Sequence, residues 1–475
     1  MAVSFDKLSG STESRLEQAS EGHSIADRLP HIAGSVPGPK SQQIFDTEER
    51  HIAPGRQRIS LLAGIALDHG DGATLTDADG NVYLDFVAGI GVASLGHAHP
   101  AMVNALARQA GRLMVGTFAS AERAEAFSLL TDIAPANLTR AHFYSGGAEA
   151  VEAALRLARS VTKKHEVVGF WGGFHGKTGG VMGLTGDESK HGHGPLPGGQ
   201  YLVPYADCYR CPFKLKHPWC GLHCVEFARQ QIRNSSAGAI AAIIVEPMQG
   251  TAGNVIPPDD WLPAIKSVAR EFDALLIADE MITGFGRTGR MWGIEHSGTE
   301  ADVITVGKGM GAGFPVSAVL MGEEISHAEP FSRPSASSSS YGGNPLAAVA
   351  VAQTIKTIRQ EKLVENANRV GSTLLGRMLQ LKEKYEFVGD VRGRGLLLGL
   401  DLVRDNTTRR ELSRHVMEII FKEALRRGLL MMGYFPRIRI NPPLVITERQ
   451  ADAGAEILDE VLAYVRDHVD WRSGN

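Results

Sequence analysis

Residues 303–315 read VITVGKGMGAGFP: an apolar, β-branched run that ends on one lysine between glycines. An ammonium buried without a partner is costly and usually answers with a shifted pKa. Lys308 therefore asks for a chemical role. A phosphate-loop lysine would need G-x-x-x-x-G-K-[ST], but Asp302 stands where the first glycine belongs and Gly309 where the hydroxyl belongs, so that reading fails. The run has two companions upstream. AIAAIIVEP (239–247) and ALLIADE (274–280) are equally short and apolar and stop as abruptly at polar residues, as strands buried on both faces do.

Between these runs the apolar period changes to three and four. PAMVNALARQAGRLM (100–114) and AEAVEAALRLARSVT (148–162) have the helix period. Helices alternating with buried strands predict an α/β fold with a mostly parallel central sheet. Upstream, GATLTDADGNVYLDF (72–86) places two apolar runs around Asp79-Gly80, a hairpin signal. Downstream, VGDVRGRGLLLGLDLV (388–403) is strand-like and HVMEIIFKEALRRG (415–428) helical, which predicts a smaller α+β domain. The expected division is an N-terminal extension at 1–45, a first part of the small domain at 46–95, a large domain at 96–345 and the rest of the small domain at 346–475. With 475 residues and 43% hydrophobic content the chain is too long for one ordinary core. No internal repeat is found.

The charge balance excludes several partners. There are 49 basic and 53 acidic residues, for a net charge of -4, and no basic block. Neither a nucleic acid nor an anionic membrane is called for. No run spans a bilayer and the N-terminus lacks a signal peptide's pattern, so a cytoplasmic protein is expected.

Ligands of an open parallel sheet collect beyond the carboxyl ends of its strands. Glu246 and Gln249 follow the first buried run, Asp279 and Glu280 the second, Lys308 the third. Three acids, an amide and an amine fit a site better than a core. A partly buried Asp279 needs a cation to stay ionised. A protonated ring nitrogen at Asp279, and an imine between Lys308 and an aldehyde, explain both residues together. That is the arrangement of pyridoxal phosphate. Asp279 alone would read as a helix cap.

The phosphate needs a cradle. In FYSGGAEAVEAALRLAR (143–159) a strand end leads through Ser145, Gly146, Gly147 and Ala148 into an amphipathic helix, whose first N–H groups suit an anion. Elsewhere a Gly-Gly before a helix is a plain turn. Phe174 and His175 lie in GFWGGFHGKTGG (169–180); the aromatic either stacks on a flat ring or packs its loop. Cys208, Cys211, Cys220 and Cys224 fall as C-x2-C then C-x3-C in DCYRCPFKLKHPWCGLHC (207–224). A structural metal knuckle and a loop of reduced thiols are both open readings. No metal is assigned to the reaction.

From about residue 50 onward the chain resembles the class III pyridoxal-phosphate-dependent aminotransferases, of fold type I. The resemblance lies in YLDFVAGIGVASLGHAHP, SGGAEAVEAALRLAR, GFHGKT, VEPMQGTAG, IADEMITGFGRTGRMW, GKGMGAGFP, YGGNPLA and RINPPLVI, in this order. It implies pyridoxal 5'-phosphate as cofactor, Lys308 as its Schiff-base lysine and proton shuttle, and Asp279 at the pyridine nitrogen. It further implies Gly147 and Ala148 at the phosphate, where relatives carry Gly-Thr or Gly-Ser, with Phe174 stacked on the ring, His175 beside it and Glu246 ordering the site. Ser340 matches a threonine that reaches the neighbouring subunit's phosphate, so a homodimer or higher homo-oligomer is implied. Arg439 matches the arginine that grips a substrate carboxylate. The implied reaction is ping-pong transfer of an amino group from an amine or amino acid to a 2-oxo acid, pyruvate or 2-oxoglutarate.

Two departures stand out. Relatives that act on 4-aminobutyrate or ornithine carry a glutamate after EPxQG that masks the arginine; here Thr251 holds the place. Ile282, in DEMITG, replaces the glutamine of DEVQTG. Both make the pocket less polar and favour apolar amine or amino-acid donors. Racemases, epimerases and a dialkylglycine decarboxylase share the family, and these are the alternatives. A non-catalytic protein that kept the fold is the remote one; the presence of Lys308 and Asp279 argues against it.

Overall fold

The computed structural model describes residues 27–433 and 435–473. Its strands are β1 (Leu67–Asp71), β2 (Thr74–Asp77), β3 (Val82–Asp85), β4 (Arg140–Tyr144), β5 (Glu166–Phe170), β6 (Gln200–Val203) and β7 (Ile240–Val245), then β8 (Leu275–Asp279), β9 (Val303–Val306), β10 (Ser317–Met321), β11 (Val388–Arg394), β12 (Leu397–Leu402), β13 (Leu429–Leu430) and β14 (Arg437–Ile440).

The central sheet has seven strands in the order β4-β10-β9-β8-β7-β5-β6. Neighbours are parallel except at β10, which runs antiparallel to both β4 and β9. Alternate residues of each strand enter different cores, which is why the sequence runs are apolar throughout rather than alternating. Ala242, Ile244, Ile277 and Val303 join the helix Gly147–Thr162 on one face. Ile243, Val245, Leu276, Ala278, Ile304 and Val306 join the larger core on the other. At the amino ends of these strands Asp302 Oδ2 accepts from Leu276 N at 2.7 Å and from Lys266 Nζ at 2.6 Å. The opposite, carboxyl ends are thereby left to Glu246, Asp279 and Lys308.

Two smaller sheets complete the fold. β1, β2, β3 and β13 form one, with β2 and β3 joined as the expected hairpin in the register Thr74↔Leu84. Its turn residue Asp79 reaches the N-terminus of the helix Pro39–His51 and accepts from Lys40 N and Ser41 N, both at 2.9 Å. The extension expected over 1–45 is thus helical from Pro39; its residues 1–26 lie outside the described residues. A Pro at the first helical position is the sequence signal for this start. The other sheet is β11-β12-β14, and Arg439 faces Gly399 across its last pair. A side chain at Gly399 would come 2.4 Å from Gly253 O, so glycine there lets the loop after β7 lie on the sheet. Among the described residues no helix is long and apolar enough to cross a membrane.

Candidate active site

Lys308 follows β9 through Gly307 in a left-handed conformation, φ 45°. A Cβ on Gly307 would meet Met281 Sδ at 2.8 Å, so a larger residue there would displace a methionine of the cavity wall. The lysine lines a cavity of about 430 Å3 together with Ser145, Gly147, Ala148, Phe174, His175 and Asp279. Apolar Val92, Met281, Phe314, Pro315 and Val316 close the wall. Burial pushes the Lys308 pKa below that of an ordinary lysine; Asp279 and Glu246 oppose the shift, and the Arg439 charge adds to it.

Asp279 ends β8 and is buried. Its Oδ2 meets His175 Nδ1 at 2.7 Å, with both side chains 1% exposed; its Oδ1 accepts from Met281 N at 3.1 Å. Burial alone would lower the His175 pKa, but the hydrogen bond and charge of Asp279, with the charge of Glu246, raise it. Asp279 is thus a buried carboxylate held in place by His175 from within the wall.

Glu246 ends β7 but stands behind that wall, outside the residues lining the cavity. Its carboxylate accepts from Phe174 N at 2.9 Å and Gly250 N at 3.0 Å, so it splints two loops. Burial raises its pKa, with Asp279 adding to the rise. Gln249 does similar work: Nε2 donates to Trp171 O at 2.8 Å. Glu280 points away from the cavity, accepting from Gly293 N and Ile294 N at 2.8 Å each. Burial lifts its pKa to about 7. Adjacent residues of a strand point to opposite sides, so Asp279 and Glu280 could not both serve one site.

Gly147 and Ala148 begin the helix Gly147–Thr162 at the cavity edge. First-turn N–H groups have no intrahelical acceptor. Those of Ser145 and Gly146 go to Glu149 Oε2 at 3.0 and 3.4 Å, which leaves the donors of the next residues at the cavity. Gly176 packs so closely that a Cβ there would lie 2.4 Å from Ala148 Cβ.

Arg439 donates from Nη1 to Gly250 O at 3.3 Å. The loop it touches is also held by Arg392, through Gly253 O at 2.6 Å and Asn254 O at 3.0 Å. Thr251 is exposed. Ile282 is buried with Met248 and Leu397 and does not line the cavity. Ser340 and Phe118 lie on the surface, away from the cavity lining of their own chain. The sequence reading passed over Val92 and Val316 as wall residues; neither carries a chemical signal that could have marked it.

This donor set fits a flat, phosphate-bearing aldehyde cofactor. One end offers helix N–H groups, the middle an aromatic and apolar wall, and the far end a buried carboxylate and an amine held below its usual pKa. Sheet order, cavity and residues together define a pyridoxal-phosphate-dependent transferase of fold type I. The class III aminotransferase family model matches residues 57–462, and the chain belongs to that family. Its cofactor is pyridoxal 5'-phosphate. The chain is 36% identical over 427 residues to an acetylornithine aminotransferase of Methanothermobacter thermautotrophicus, covering 89% of this chain and 99% of the relative. It is 33% identical over 435 residues to a leucine/methionine racemase of Thermococcus litoralis, covering 90% and 97%. Among solved structures it is similar to an amine transaminase from an uncultivated Pseudomonas species in a pyridoxal-phosphate-bound form. That match has a TM-score of 0.81 and 31% identity, and covers 93% of this chain and 99% of the other.

Proposed function

We propose that this enzyme transfers an amino group from an apolar amino acid or amine to a 2-oxo acid, pyruvate or 2-oxoglutarate. The order is ping-pong, the oxo product of the donor leaving before the acceptor enters. The observation that carries this reading is the convergence of Lys308, Asp279 and the start of the helix Gly147–Thr162 on one cavity.

When bound, pyridoxal phosphate supplies a protonated aromatic ring that accepts the electron pair left on a substrate carbon. Asp279 supplies the negative charge that keeps a ring nitrogen protonated, and His175 fixes its carboxylate from behind. Gly147 and Ala148 N–H groups bind the phosphate. Phe174 covers one ring face, and Glu246 holds the Phe174 backbone in place. Lys308 Nζ anchors the cofactor and moves the proton to and from the substrate Cα, a duty favoured by its lowered pKa. Arg439 binds the substrate carboxylate as a planar fork. With Thr251 at the position of the masking glutamate, no carboxylate side chain at that position competes with the substrate for this arginine.

The enzyme acts in the cytoplasm as at least a homodimer, with Ser340 reaching the partner's phosphate. Exposed Leu113, Met114, Val115, Phe118 and Tyr341 support this. They lie on adjoining segments, since a Cβ placed on Gly116 would lie 3.8 Å from Pro345 Cδ, and a patch of that kind marks an interface. Equilibrium sedimentation of a Tyr341→Asp variant tests it: dissociation is expected, and an unchanged mass would refute the interface.

A second reading, racemisation, is favoured by the similarity to the racemase. Amino acid and 2-oxo acid pairs, scanned with chiral analysis of both products, separate the two. Formation of the second amino acid supports transfer; loss of chirality with no second amino acid supports racemisation.

A further inference from the structure

The cysteine-rich segment takes no part in the reaction described above, yet the fold gathers it. Residues 204–222, between β6 and the helix His223–Ser235, carry no helix or strand. This is longer than the dozen or so residues that irregular loops usually reach without some reason to hold them. Cys208, Cys211, Cys220 and Cys224 all line one small cavity of about 20 Å3, room for about one ion or water molecule. All four are free thiols.

Two histidines share this cavity, but both are engaged. His217 Nε2 meets Asp260 Oδ2 at 3.0 Å. The His223 ring packs edge-on against Phe213, 4.7 Å between centroids. Asp207, also in the lining, accepts from Arg210 N at 3.1 Å. The four sulfurs, two from each half of C-x2-C and C-x3-C, supply the donor number of a closed structural site.

We propose that Cys208, Cys211, Cys220 and Cys224 bind a soft metal centre as a tetrathiolate. Among the described residues no group of three His, Cys, Asp or Glu side chains is placed to hold a metal ion, so binding requires the four thiols to turn from the cavity wall toward one point. Each ligating thiol gives up its proton to solvent as its sulfur bonds the metal, with no change of oxidation state. A cavity of about 20 Å3 has room for one ion and not for a cluster, so the centre is a single zinc ion.

The centre braces the loop against the strands that present Arg439. Arg210 Nε donates to Asp401 Oδ1 at 2.6 Å, and Arg210 Nη1 to Arg409 O at 3.0 Å. Asp207 lies 3.8 Å from Arg437. Asp401 on β12 is the register partner of Arg437 on β14, two residues before Arg439. The metal thus fixes the position of the carboxylate-binding strand from outside the active site.

The test is elemental analysis of the full-length holoenzyme, purified untagged and anaerobically without chelators, beside a Cys208→Ser/Cys220→Ser double variant. The expected result is about one zinc per chain. The metal is lost in the double variant, whose Tm falls by roughly 5 °C or more. Cobalt(II) reconstitution of the wild type should give the intense visible bands of a tetrahedral thiolate site. Wild-type protein with less than about a tenth of a metal per chain overturns the proposal. So does metal that the double variant retains, which marks an adventitious ion only. If the variant does not fold, the metal content and cobalt spectrum of the wild type decide alone.

Discussion

Asp279→Asn keeps the shape of the side chain and removes one buried charge. In the structure that charge accepts the His175 Nδ1 hydrogen bond at 2.7 Å and is one of the causes that hold up the pKa of Lys308, His175 and Glu246. Removing one partner of a buried, hydrogen-bonded charge pair costs about 3–5 kcal/mol. Asparagine still offers His175 an acceptor, so the folding loss should stay near the cost of one charged hydrogen bond, about 1.5–3 kcal/mol. Catalysis has no such substitute, because an amide cannot keep a ring nitrogen protonated. At about 1.4 kcal/mol per decade, the full penalty means a roughly 10²- to 10³-fold lower rate for the donor half-reaction. Two assays read this out: single-turnover kinetics with the donor alone, and thermal unfolding of the same preparation. In the cofactor-free protein, labelling of Lys308 by an amine reagent, followed by mass spectrometry, should titrate at lower pH in the variant. A variant that keeps more than about a tenth of the wild-type rate, or whose Lys308 titrates higher, refutes the reasoning.

Further outcomes follow from the same geometry. Arg439→Ala should raise KM for amino-acid donors by roughly 10- to 100-fold, the worth of a charged hydrogen-bonded pair. An amine donor without a carboxylate should be little affected, and equal losses for both would remove Arg439 from the site. Gly399→Ala drives a Cβ into Gly253 O. It should cost about 1–3 kcal/mol and raise KM for carboxylate donors, since the displaced loop carries the Gly250 carbonyl that Arg439 touches; calorimetry and steady-state kinetics check both. His175 has a folded-state pKa above its unfolded value, so folding takes up a proton there. The stability it contributes is complete below about pH 6.5 and is lost as pH rises through the folded pKa. In the cofactor-free protein the Tm gap between wild type and His175→Gln should therefore be widest in mild acid and narrow above neutrality. A gap that widens with pH contradicts the assignment.

The placement of Lys308 and Asp279 at one cavity was legible where one residue type had no other use. Lys308 after an apolar run and Asp279 at the end of another were readable because burying either charge requires a partner. β7, β8 and β9 were readable because burial on both faces leaves no polar position. The neighbouring residues were less so. Glu246 and Glu280 are both acids at strand ends, and only the pleat and the packing of the following loops turn one to a loop splint and the other to the Gly293 backbone. The reversal at β10 depends on how the loop of residues 307–316 folds back over the cavity, which no period in the sequence records. The helix Pro39–His51 is short of apolar periodicity, and its start is held by Asp79 from a distant hairpin turn. Ile282 shows the limit of motif comparison: its position suggested a less polar pocket, but its side chain is buried beside Leu397.

The central claim is amino-group transfer, and one measurement bears on it most directly. The purified enzyme carrying its cofactor is mixed with an apolar amino acid in deuterated solvent, with no acceptor present. Transfer predicts about one equivalent of 2-oxo acid per chain, with the cofactor recovered as pyridoxamine phosphate. Recovery of the amino acid with deuterium at Cα and its chirality scrambled, with no 2-oxo acid released, would contradict it and make the enzyme a racemase.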